Sequence, residues 1–122
     1  MSANTRKFMD ISDFDNWTYD MIANGAVATD AGNSLLYITG GWRSNMPVWT
    51  QDNCNNCMLC WVHCPDSSIE VADGKMTGID YDHCKGCGVC VIECRFDALK
   101  MVLESSEEAL AVKKALIAEK GA

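Results

Sequence analysis

The segments "DNCNNCMLCWVHCPDSSIEV" and "DHCKGCGVCVIECRFDALKM" hold all eight cysteines of the chain. Cys54, Cys57, Cys60 and Cys64 each recur thirty residues later, as Cys84, Cys87, Cys90 and Cys94. Both runs read C-x2-C-x2-C-x3-C, the spacing that holds cubane iron–sulfur clusters, and Pro65 completes the ending of the first. The two short gaps let one tight loop offer three thiolates to three corners of a cube. The fourth cysteine lies four residues further on, and if that stretch is helical it advances about 6 Å along the axis. It therefore overshoots its own cube and reaches the other. This predicts one cluster on Cys54, Cys57, Cys60 and Cys94, and a second on Cys84, Cys87, Cys90 and Cys64. A cubane with four thiolates has no open coordination site, so its chemistry is to accept and release single electrons.

The elements that must position these ligands also repeat. Asp52 matches Asp82, Val62 matches Ile92, Ile69 matches Leu99 and Val71 matches Met101, which predicts two similar half-domains. Gly86 and Gly88 are suited to positive φ and to close approach of backbone N–H groups to cluster sulfurs, and Asn55 and Asn56 tolerate the left-handed region better than most residues. The first loop has Asn55, Asn56 and Met58 where the second has Lys85, Gly86 and Gly88, so the two clusters should differ in potential, in an order left open. Trp61, Val62, Val91 and Ile92 are expected to pack around the cubes and exclude water. His63 and His83 are expected at the surface or in a supporting role, since eight thiolates already complete two cubanes. Arg95 stands where the first half has Pro65. Either its cation raises the potential of the cluster that Cys94 completes, or it faces solvent without effect.

Other chemistries fit less well. Zinc sites use C-x2-C pairs, not a triply spaced run with a fourth cysteine. Disulfides require an oxidising compartment, and "MSANTRKFMDISDF" has no apolar run of signal-peptide length, which points to a cytoplasmic location and to cysteines used for metal. A net charge of −7 argues against nucleic acid as partner and favours basic protein surfaces, and no apolar stretch reaches membrane-spanning length. The phosphate loop, the dinucleotide glycine fingerprint and the H-E-x-x-H helix are all missing. Substrate chemistry is therefore expected on another chain, which makes this one an electron conduit.

The flanks set the domain plan: an extended arm over 1–47, a two-cluster domain over 48–103, and a C-terminal helix over 104–122. The arm is too irregular to fold alone, yet it carries Phe8, Phe14, Trp17, Tyr19, Leu35, Leu36, Tyr37 and Trp42, with Trp49 just beyond it, too many large apolar groups for a solvated tail. It is expected to dock on partner subunits. In "ESSEEALAVKKALIAEKGA", Ser105 and Glu108 read as a capping box, Gly121 as the stop signal, and Ala109, Val112, Leu116 and Ile117 as an apolar stripe lying back on the core or on another chain. A block so small buries too little apolar surface to be stable alone, so clusters are expected to staple it. The predicted fold class is α+β, a pseudo-two-fold bacterial-type two-cluster ferredoxin fold with an N-terminal arm and a C-terminal helix.

"TGGWRSNMPV", followed by "DNCNNCMLCWVHCP" and "IDYDHCKGCGVC", resembles the delta, ferredoxin-like subunit of the four-subunit 2-oxoacid:ferredoxin oxidoreductases, of the pyruvate synthase type. The resemblance covers about residues 38–103. It implies a complex whose other subunits bind thiamine diphosphate, magnesium and usually coenzyme A, and decarboxylate the 2-oxoacid there. This chain would pass the electrons singly through two 4Fe–4S clusters to an external ferredoxin, with Trp42 and Arg43 on an arm over the partners. Met46 and Arg95 depart from the residues common in relatives, and the substrate is left open. The alternatives are a freestanding low-potential ferredoxin, a subunit of another anaerobic oxidoreductase, and a zinc-bearing structural adaptor, which would be colourless.

Overall fold

The computed structural model describes residues 15–22, 25 and 31–120; Phe8, Phe14 and Gly121, named above, lie outside them. The chain divides into two compact units, Met1–Tyr37 and Ile38–Ala122. Within the first, the described segments form short 3-10 turns at Tyr19–Met21 and Asn33–Leu36, and Tyr19, Leu35 and Tyr37 are exposed.

The second unit carries strand β1 (Asn45–Trp49), helix α1 (Leu59–His63), β2 (Ile69–Ala72), β3 (Lys75–Ile79), α2 (Val89–Glu93), β4 (Leu99–Leu103) and α3 (Glu107–Lys120). β1 and β4 pair antiparallel, from Asn45 opposite Leu103 to Trp49 opposite Leu99. β2 and β3 form the other antiparallel pair, closed by Asp73-Gly74 with φ of 50° and 73°. Positive φ at both central residues gives a turn whose twist matches the strands it joins, and aspartate followed by glycine is the pair that adopts it most readily. One mixed α/β domain results, with the two helical turns α1 and α2 packed together between the strand pairs and α3 laid against β1 and β4. Ile69, Met76, Ile79, Cys84, Cys90 and Leu99 form its small buried core.

Two sequence expectations shift. The ferredoxin-like unit begins at Ile38, about ten residues earlier than the predicted boundary at 48, because β1 and the turn Gly40–Trp42 are built into it. Pro47 lies inside β1; a two-stranded sheet makes every strand an edge, where a missing N–H is tolerated. The cap of α3 is Ser106, not Ser105: its Oγ accepts the Ala109 N–H at 3.3 Å, so Glu108 falls one position short of a capping box. The stripe of α3 does lie back on the domain through fully buried Ala109 and half-buried Val112 and Leu116, while Ile117 stays exposed.

Candidate metal centre

The cysteine loops are shaped by backbone that few residues adopt. Met58 and Gly88 precede α1 and α2 with φ of 63° and 80°, Asn56 and Gly86 lie two residues before them at 59° and 66°, and Ser67 and Asp97 follow at 51° and 50°. The left-handed positions thus recur thirty residues apart, like the cysteines. A left-handed residue with a Cβ costs about 1–2 kcal/mol, which the first loop bears at Asn56 and Met58 and the second avoids with glycines. Asn56 offsets part of this with its side chain, whose Oδ1 accepts the Met76 N–H at 3.0 Å, and Asn55 Oδ1 accepts the Cys57 N–H at 3.1 Å.

Two cavities, each about 350 Å³ including its open mouth, flank the core. Cys54, Cys57, Cys60 and Cys94 line one, together with Trp49, Met58, Met76 and Phe96. Cys64, Cys84, Cys87 and Cys90 line the other, with Pro47, Pro65, Ile69, Ile79, Lys85 and Gly86. Each cavity therefore gathers three cysteines of one run and the last of the other. All eight are free thiols. Among the described residues, no group of three or more His, Cys, Asp or Glu side chains converges as a single-ion site.

The donors suit a cofactor that brings positive charge. Burial pushes the Cys60 and Cys84 thiols up, and pushes Cys90 up to about 12, with Cys84, Cys87 and Cys64 adding to the effect. Coordination to iron supplies the charge that turns such buried thiols into thiolates. Hydrogen bonds already aim at two sulfurs: the Ser68 N–H donates to Cys64 Sγ at 3.3 Å and the Gly86 N–H to Cys84 Sγ at 3.4 Å. The other cavity has an orphaned donor. Trp49 is one of its walls, and Trp49 Nε1 is buried with no hydrogen-bond partner among the described residues. Leaving such a group unpaired costs about 1–3 kcal/mol, and a sulfur acceptor in the cavity would satisfy it.

The second loop is held from behind by Arg43, which the resemblance places on the arm. Its guanidinium donates to both carboxylate oxygens of Glu104, at 2.9 and 3.1 Å, and to the backbone carbonyls of Tyr81 and Cys84, the latter at 3.1 Å. Tyr81 lies under the same cation and donates from its hydroxyl to Pro47 O at 2.7 Å, and burial pushes its pKa up to about 12. Sequence patterning misses this clamp because Glu104 is 61 residues away. The remaining expectations divide. His63 turns back to its own helix carbonyl at Leu59 and His83 pairs with Asp80. Val91 is half-buried against the core, but Trp61, Val62 and Ile92 are largely exposed, so those three do not seal the cavities within this chain. Arg95 is exposed, which favours the reading without effect.

Residues 77–100 match the Fer4 family, described as a 4Fe-4S binding domain. The fold and the cysteine cavities together define a ferredoxin-type iron–sulfur protein. Over 77 residues the chain is 42% identical to pyruvate synthase subunit PorD of Thermotoga maritima, covering 63% of this chain and 78% of that one. PorD of Methanocaldococcus jannaschii is 36% identical over 84 residues, 69% of this chain and 98% of the relative. Ketoisovalerate oxidoreductase subunit VorD of Pyrococcus furiosus is 41% identical over 73 residues, 60% of this chain and 70% of the relative. The chain belongs to this family of ferredoxin-like PorD and VorD subunits, whose work is electron transfer through 4Fe–4S iron–sulfur chemistry. Among the described residues no helix is long and apolar enough to cross a membrane.

Proposed function

We propose that this chain is the electron-transfer subunit of a 2-oxoacid:ferredoxin oxidoreductase complex and holds two 4Fe–4S clusters in a pseudo-two-fold pair of half-domains. Cys54, Cys57, Cys60 and Cys94 hold one cluster; Cys84, Cys87, Cys90 and Cys64 hold the other. The observation that carries this reading is the lining of the two cavities, three cysteines from one run and the fourth from the other in each case. The thirty-residue recurrence of left-handed backbone supports the pairing of halves. Bound clusters supply one-electron redox chemistry. The chain's own part is to fix the thiolates, to aim the N–H groups of Ser68 and Gly86 at sulfur, and to keep the two sites within one compact unit.

Thiamine diphosphate and magnesium belong to partner subunits in this reading, and an external ferredoxin takes the electrons. The substrate class is a 2-oxoacid, as the names of the pyruvate and ketoisovalerate relatives suggest. Residues before Ile38 dock on the partner chains, a role supported by the exposure of Tyr19, Leu35 and Tyr37. The test is anaerobic purification from the native host by a tag on this chain, followed by native mass spectrometry with iron and thiamine analysis. A complex containing thiamine diphosphate and about eight irons for this subunit is the expected result. A lone brown monomer would make it a freestanding ferredoxin, and a colourless zinc protein would overturn both readings.

A further inference from the structure

Arg43 is an unusual neighbour for a cluster loop. Its side chain is 5% exposed, it cannot shed its proton, and its two faces are committed to opposite partners. The Nε and Nη2 edge meets the Glu104 carboxylate, while Nη1 meets the carbonyl of Cys84, first ligand of the second run. Glycines make this approach possible. A Cβ on Gly86 would come within 2.0 Å of Asn45 O and 3.1 Å of Arg43 Cβ, and one on Gly40 within 2.0 Å of Tyr81 O. The positive end of the pair is thus packed against the Cys84–Gly86 turn, the same turn whose Gly86 N–H reaches Cys84 Sγ. Glu104 stands behind the guanidinium and is shared with Lys113 of α3.

We propose that Arg43 is a positioning and potential-setting residue for the site of Cys64, Cys84, Cys87 and Cys90, and that Glu104 is its electrostatic counterweight. The inference rests on the two-cluster reading above. A reduced cluster carries one more negative charge than its oxidised form, so a fixed, poorly solvated cation beside its loop favours reduction and raises the potential, and an anion beside that cation opposes it. The two partners therefore act with opposite signs on one site, whereas mere bracing of the loop would make their removal act alike.

The experiment is an anaerobic redox titration of the purified holo complex, followed by electron paramagnetic resonance, on wild type, Arg43→Gln, Arg43→Lys and Glu104→Gln. A Cys87→Ser variant identifies which signals belong to the second-run site. Arg43→Gln should lower that site's potential, a severalfold loss in its one-electron reduction equilibrium, and Glu104→Gln should raise it. Arg43→Lys keeps the charge and should restore most of the shift, and the Cys54 site should stay in place throughout. If Arg43→Gln fails to assemble, Glu104→Gln and Arg43→Lys still decide. Shifts of the same sign from both residues, a shift confined to the Cys54 site, or no shift would overturn the proposal. A wild-type complex lacking two cubane signals would instead refute the two-cluster reading.

Discussion

Cys64 lines the same cavity as Cys84, twenty residues further on, although Cys60, its near neighbour in the same run, lines the other. Helix α1 is a single turn that ends at His63, and Cys64 follows it in extended backbone. Cys64 thus leaves its own loop at the point where the helix stops. Cys64→Ala should strip iron from the site of the second run while the signals of the Cys54 site persist, and Cys94→Ala should do the reverse. Iron analysis with electron paramagnetic resonance checks both; loss of the Cys54 site from Cys64→Ala would sink the crossed assignment.

The boundary at Ile38 separates two deletions that the sequence alone would have treated as one. Removing residues 1–37 should leave both clusters in place and abolish co-purification with partner chains. Removing 1–47 also takes away Arg43, fully buried Met46 and the Tyr81 acceptor at Pro47, so it should lose iron as well. Pull-down and iron content on the two truncations distinguish the roles, and full partner binding by the shorter deletion would show that the arm is not the docking element.

Gly86→Ala places a Cβ against Asn45 O and forces an alanine into left-handed backbone, a strain of about 1–3 kcal/mol before the overlap is counted. Gly40→Ala meets Tyr81 O in the same way. Both variants should lower the anaerobic melting temperature and speed cluster loss. Gly41→Ala, with nothing within 4 Å, is the matched control and should be near neutral.

Trp49→Phe removes the buried indole N–H and keeps most of the ring. If that donor serves the neighbouring cluster, the variant should lower the potential of the Cys54 site and leave the second-run site unchanged, since hydrogen bonds to cluster sulfurs favour the reduced state. An unmoved potential in the same titration would mean that the indole only packs the wall.

The grouping of the cysteines around two cavities was legible because cluster geometry imposes fixed spacing on a continuous run, and the thirty-residue offset repeats it. The C-terminal helix was legible from its acidic first turn, though the cap was misplaced by one residue, because Ser105 and Ser106 are adjacent and only the Ala109 N–H chooses between them. The start of the domain was not legible. Pro47 and the glycine pair before it look like loop; the glycines form a 3-10 turn, and the strand character of Pro47 comes only from pairing with residues 99–103 far along the chain. Arg43 was hidden for the same reason: it reads as part of an arm over the partners until its distant carboxylate, Glu104, is known.

The interleaved linings also order events during synthesis. In the two-cluster reading neither site has its full set of sulfurs until the chain has been made as far as Cys90 for one and Cys94 for the other, so both stay open for more than half of the interval in which the unit Ile38–Ala122 is translated. Metal loading in that reading is a joint event that waits for the second cysteine run. A nascent chain stalled between the two runs would hold four unsupported thiols, a target for oxidants and for the quality-control proteases that remove unfinished proteins.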